Sequence, residues 1–135
     1  MFASWLDLTT HVTQRYTGAH PHVEGSTDAW RFMLFLPSGR TQVIVVSLAH
    51  LDNGAWVELL SPVAPESAID ARTMLLENAK RTVGAFAITE GGMIVYRYAL
   101  PLLALDPRAF DYAVETVGSF ADAVEEVATA GGDQF

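Results

Sequence analysis

The sequence predicts an α+β domain with the element order α-β-β-β-α-β-β-α, its helices packed on a twisted antiparallel sheet. Three observations carry that prediction. Apolar residues recur at helical spacing near both ends of the chain and once in its middle. Between those stretches lie runs of β-branched and aromatic residues at alternate spacing, punctuated by glycine- and proline-bearing turns. The connections among the first three runs are too short for parallel crossovers, so those strands should form an antiparallel meander.

Ser4 stands before Trp5-Leu6-Asp7, a capping-box-like start in which hydroxyl and carboxylate satisfy free N–H groups of the first turn. Phe2, Trp5, Leu6, Thr9, Val12 and Tyr16 then repeat at helical spacing, which predicts a first helix to about Thr17, closed by Gly18. Residues 19–28 read as polar and irregular. Trp30 to Leu36 reads as a strand with Trp30, Phe32, Leu34 and Leu36 on one face and Arg31, Met33 and Phe35 on the other. Pro37-Ser38-Gly39-Arg40 is a turn, Thr41 to Leu48 a second strand, Asp52-Asn53-Gly54 the next turn, and Ala55 to Leu60 a third strand. Pro62 and Pro65 are expected to end the sheet run. Glu66 is expected to open the middle helix, with Ala68, Ile69, Arg72, Leu75, Leu76 and Ala79 along one side and Lys80 and Arg81 in the last turn, where cations are favoured. Ala85 to Thr89 and Met93 to Leu100 form a hairpin around Glu90-Gly91-Gly92. Asp106-Pro107 is a strong helix start, and the final helix runs to about Ala128 on a stripe of Phe110, Val114, Val117, Ala121 and Val124. Residues 1–130 are thus expected to form a single domain, and residues 131–135 a frayed tail.

Half of the 135 residues are hydrophobic, enough for a core without covalent staples. There is no cysteine, which excludes a disulfide framework, a thiolate metal site and a cysteine nucleophile. Sixteen acidic residues against eight basic ones give a net charge of −8, which repels nucleic acid and anionic membrane surfaces alike. The first residues lack the basic and apolar regions of a signal peptide, and no apolar run approaches the roughly 18–20 residues that span a bilayer. The expectation is a cytoplasmic protein.

The second half of the chain carries a resemblance. Glu66 to Asn78, ending in Leu75-Leu76-Glu77-Asn78, is followed by Gly84-Ala85-Phe86-Ala87-Ile88 and the Gly91-Gly92 hairpin. A strand ending in Leu100-Pro101-Leu102 and then Leu105-Asp106 precede the last helix. These residues, over most of 55–128 and more loosely over the N-terminal helix and meander, resemble the type III secretion chaperone-like fold and, within it, the YbjN-like family. The resemblance implies a bacterial protein, typically a homodimer that holds a partner segment in extended form. Members of the YbjN-like family carry a loose label as sensory-transduction regulators, and the resemblance brings no defined enzymatic activity.

Few residues suggest chemistry. His20-Pro21-His22 with Glu24 and Asp28 is the one cluster of ligand-type side chains, and alternate residues of an extended segment can converge on a metal. No second half of such a site is evident, so a solvated loop is the simpler reading. A small-ligand or metal-dependent enzyme built on His20 and His22 remains the alternative. No serine lies in a G-x-S-x-G elbow, and Glu90-Gly91-Gly92 joins two strands rather than a strand and a helix, as a phosphate loop would. Asp122, Glu125 and Glu126 read as the solvated face of the last helix. The expectation is therefore a protein that is not an enzyme and needs no cofactor or metal.

What the sequence has in surplus is apolar surface. Met33 and Phe35 oppose Trp30, Phe32 and Leu34 on one strand, and Val43 and Val45 oppose Ile44, Val46 and Leu48 on the next. Either helices cover both faces of the sheet, or one face is an interface or a groove for an extended peptide. The interface reading makes the chain a partner-binding module with an acidic rim, with Trp5, Met33, Phe35 and Trp56 as contacts and Met74 and Leu75 as the dimer interface. A structural subunit of a larger assembly is a further possibility.

Overall fold

Why the chain folds where it does is clearest at its helix ends. The computed structural model describes residues 1–128. In it α1 (Trp5–Arg15) begins where the Ser4 hydroxyl accepts the N–H of Asp7 at 3.2 Å, while the Asp7 carboxylate accepts the N–H of Ala3. The helix stops earlier than the sequence suggests. Tyr16 is already extended, and the chain passes directly into β1 (Thr17–Pro21), a strand where an irregular segment was expected. Gly18 does not cap the helix; at φ +71° it sits where the register of β1 shifts, a bulge that a residue with a side chain adopts only with strain.

The meander follows as β2 (Ala29–Phe35), β3 (Thr41–Leu51) and β4 (Gly54–Pro65). β4 continues through Pro62, contrary to the expectation that this proline ends the sheet. The ladder to β6 shifts register between Pro62 and Ala64, and such a bulge tolerates the missing N–H. The carbonyl of Pro62 instead accepts the Gln42 side-chain N–H at 2.6 Å. A single 3₁₀ turn (Glu66–Ala68) follows, and α2 (Ala71–Ala79) starts only at Asp70, whose carboxylate accepts the N–H of Thr73 at 2.7 Å. Glu66 therefore does not open the helix. The hairpin of β5 (Ala85–Ile88) and β6 (Met93–Pro101) and then α3 (Pro107–Ala128) complete the order, with Asp106 accepting the N–H of Ala109 at 2.7 Å. The tail expected at 131–135 lies outside the described residues.

All six strands join one antiparallel sheet in the order β1-β2-β3-β4-β6-β5. The α+β class holds, with one strand more than the sequence suggested.

The register assigns each strand residue to a face. Phe32 lies opposite Ile44, Val46 opposite Leu59, and Phe86 opposite Tyr96; these point to the helices and are buried. Tyr16 stacks on Phe32 with ring centroids 4.3 Å apart, Phe2 meets Phe110 edge-on, and Phe120 meets Tyr96 the same way. α3 comes so close to the sheet that a Cβ on Gly118 would stand 2.3 Å from Leu34 Cδ2, which is why a helix-weakening residue sits in mid-helix. At the β5 end, Arg81 lies over the rings of both Phe86 and Phe120, and the Asn78 side-chain amide holds the backbone of Phe86, its N–H donating to the carbonyl and its oxygen accepting the N–H. The contacts of α1, α2 and α3 with the core all lie on this one side of the sheet. Among the described residues no helix is long and apolar enough to cross a membrane.

Candidate partner-binding face

Successive strand residues point to opposite faces, so the face away from the helices can be read from the same register. One row across it is apolar: Met33 opposite Val43, then Val95 between Pro62 and Ala87. The next row runs Arg31, Val45, Leu60, Arg97, with Val45 paired to both Arg31 and Leu60. Beyond it Ser47 faces Glu58, and at the far end Trp56 lies between Ala49 and Pro101. Most of these side chains are half-buried. Val95 reaches 3% exposure by packing against its neighbours on the bare face, without joining the main core. An antiparallel sheet with one free face normally alternates apolar-in with polar-out. Here β2 and β3 are apolar on both sides, and no described helix covers the outer one.

Three of the four residues expected to contact a partner are on this face. Met33 is half-buried in the apolar row, and Phe35, at 64% exposure, extends beyond it. Trp56 is half-buried at the opposite end, its indole N–H donated to the Asn53 side chain at 3.0 Å. Trp5 is not with them. It packs against the core from α1, and its indole N–H is donated to the Thr27 carbonyl at 2.6 Å. That hydrogen bond pins the β1–β2 loop to the helix, a structural task that its aromatic character in the sequence did not disclose.

The two residues expected at a dimer interface separate in a similar way. Met74 is buried beneath α2, whereas Leu75, one position on, is 69% exposed. Leu76 is half exposed as well, and so is Ile88 of the edge strand β5. Met74 floors a groove of about 250 Å³ between α2 and β5, with Leu75, Phe86 and Ile88 along its walls. The α2 stripe read from the sequence therefore faces outward at Leu75 and Leu76, and α2 is held to the core mainly by Met74.

The groups that suggested chemistry stay apart. His20 and His22 are exposed, and His20 Nδ1 is hydrogen-bonded to its own strand at the Gly18 carbonyl. Among the described residues no three His, Cys, Asp or Glu side chains gather into a group able to hold a metal ion.

The acidic set on the last helix is a correction. Asp122 and Glu125 are buried rather than solvated, and Arg40 from the β2–β3 turn reaches both, at 2.7 and 3.4 Å. Only Glu126 of the three is exposed. A second cluster that sequence spacing gave no means of finding joins α1 to α3: Asp111 accepts the Tyr16 hydroxyl at 2.6 Å and meets His11 Nε2 at 2.8 Å. Burial, and then the bond to Asp111, push the Tyr16 phenol well above its ordinary range. Packed among Phe2 and Phe110, this group ties helices together.

A six-stranded antiparallel sheet with the described helices on one face and an apolar second face defines the class, an α+β fold. No family model and no curated protein matches the chain. Among solved structures, a chain from "Structure of the HopA1-SchA Chaperone-Effector Complex" has a similar fold, with a TM-score of 0.60 and 12% identity over 88% of this chain and 90% of that one. At that identity the likeness concerns the fold alone.

Proposed function

We propose that this chain is a non-enzymatic, chaperone-like module that binds another polypeptide on the bare face of its sheet and works as a cytoplasmic homodimer. The observation that carries the reading is the apolar row Met33, Val43, Pro62 and Val95, which none of the described helices covers. Covering such a row removes apolar surface from water, worth about 25 cal/mol per Å². The structural neighbour comes from a complex of a chaperone with its effector, which supports the same use of the fold here. The YbjN-like resemblance of residues 55–128 adds a bacterial, regulator-like relative to this reading.

The test uses light scattering from an aggregation-prone unfolded polypeptide, with and without this protein. The Met33→Ala/Phe35→Ala double variant should keep the parent's thermal midpoint and lose most of the protection. Undiminished protection by a folded double variant overturns the proposal.

A further inference from the structure

The bare face holds a cation that the fold leaves without a counter-charge. Arg31 stands in the middle of β2, half-buried, with Val45 opposite it on one side and His20 on the other. Among the described residues its guanidinium makes no hydrogen bond and no ion pair, while its backbone takes part in the ladders on both sides. Most other arginines are engaged: Arg15 approaches Asp111, Arg40 meets Asp122, Arg81 meets Glu77 and Arg97 meets Glu58. Arg72 also lacks a described partner, but it is exposed on α2, where water serves it. Glu58, the carboxylate that the outer face itself supplies, is taken by Arg97 at 2.5 Å.

Arg31 also borders a trough of about 370 Å³. Its polar side is Arg31, His22 and Ser47; its apolar floor includes Val45, Leu60 and Val95. A guanidinium presents five donors in a planar fork that matches a carboxylate, and a charge-assisted bond of that kind strengthens as water is excluded around it. Partly desolvated beside valine and leucine, Arg31 gains most from a ligand that brings a carboxylate and apolar groups together. Acids also sit at the turns beyond both ends of the sheet, Asp28 and Asp52 at one end and Glu66 and Glu90 at the other. They disfavour a ligand that is acidic throughout and suit one with basic flanks.

We infer that the partner segment docking on this face is apolar with a single aspartate or glutamate that pairs with Arg31, and with basic residues on either side. The inference rests on the docking reading above and adds the chemistry by which the face selects its partner.

The test uses the full chain and two synthetic peptides of alternating leucine and lysine, one with a central glutamate and one with glutamine there. Titrations are followed by amide chemical shifts of the outer-face residues. The glutamate peptide should bind about tenfold more tightly or better. Arg31→Gln should erase that preference, and Arg31→Glu should reverse it, while both variants keep the parent's thermal midpoint. Equal binding of both peptides on the outer face overturns the carboxylate inference and leaves the docking reading standing. Shifts on the outer face with neither peptide, or shifts confined to the α2–β5 groove, overturn both. A concentration-dependent mass in solution that Arg31→Glu abolishes would make a second copy the occupant and overturn the inference too.

Discussion

Arg40 Nε lies 2.7 Å from Asp122 Oδ1, a contact that spans 82 residues of sequence and fastens the β2–β3 turn to α3. Arg40 Nη2 lies 3.4 Å from Glu125, whose side chain is wholly buried. Desolvating three charged groups is costly, and the arrangement is tolerable because the charges answer one another. Its use to the fold is positional: it fixes where the last turns of α3 cross the sheet.

The first prediction follows from that asymmetry. Arg40→Met leaves two carboxylates buried near each other without their cation, and should lower stability by about 3–5 kcal/mol. Replacing Arg40, Asp122 and Glu125 together by apolar residues of similar size should cost less than the single change. Urea denaturation of both variants is the measurement. A single variant within experimental error of the parent would show that the cluster contributes nothing to the fold.

This cluster also marks where sequence reasoning stops. The start of α3 was legible because Asp106-Pro107 is a local signal, a cap followed by a residue that needs no N–H donor. The two faces of β2 and β3 were legible because alternation is local as well. Nothing local distinguishes Asp122 and Glu125 from Glu126, since the cation that answers their buried charge is the distant Arg40. β1 was missed because His20, Pro21 and their neighbours look like a loop. β4 was cut short because a proline reads as a stop wherever a bulge is not foreseen. The outer face was anticipated as apolar, but not that Trp5 would lie away from Met33, Phe35 and Trp56.

A second prediction concerns alkaline pH. Burial raises the phenols of Tyr16 and Tyr96 above their ordinary value of 10.0. An unfolded chain releases those protons near the ordinary value, while the folded chain holds them. Their contribution to stability is therefore complete below about pH 10 and declines as pH rises further. Tyr16→Phe should cost about 1 kcal/mol at neutral pH, through the lost bond to Asp111. It should also flatten the decline. Urea midpoints taken between about pH 8 and about pH 11 report both effects. A decline as steep in Tyr16→Phe as in the parent would assign it to other groups.

The third prediction concerns self-association. Leu75 and Leu76 of α2 and Ile88 of the short edge strand β5 are exposed apolar side chains. Two copies meeting there would bury these side chains, fill the groove above Met74 and cover the free edge of β5. They would also leave the outer face of the sheet open for a partner. Light scattering should then give a mass near twice the 14.7 kDa of one chain. Leu75→Asp should return the protein to that single mass, because a charge placed in an apolar contact must be desolvated on association. Since Leu75 is exposed in the single chain, the same change should leave its thermal midpoint nearly unmoved. A parent that stays monomeric at high concentration would remove the α2–β5 edge from consideration, without bearing on the face that carries Met33 and Arg31. A dimer that Leu75→Asp fails to split would place the contact elsewhere, and amide shifts on dilution would then show whether the outer face itself is buried in it.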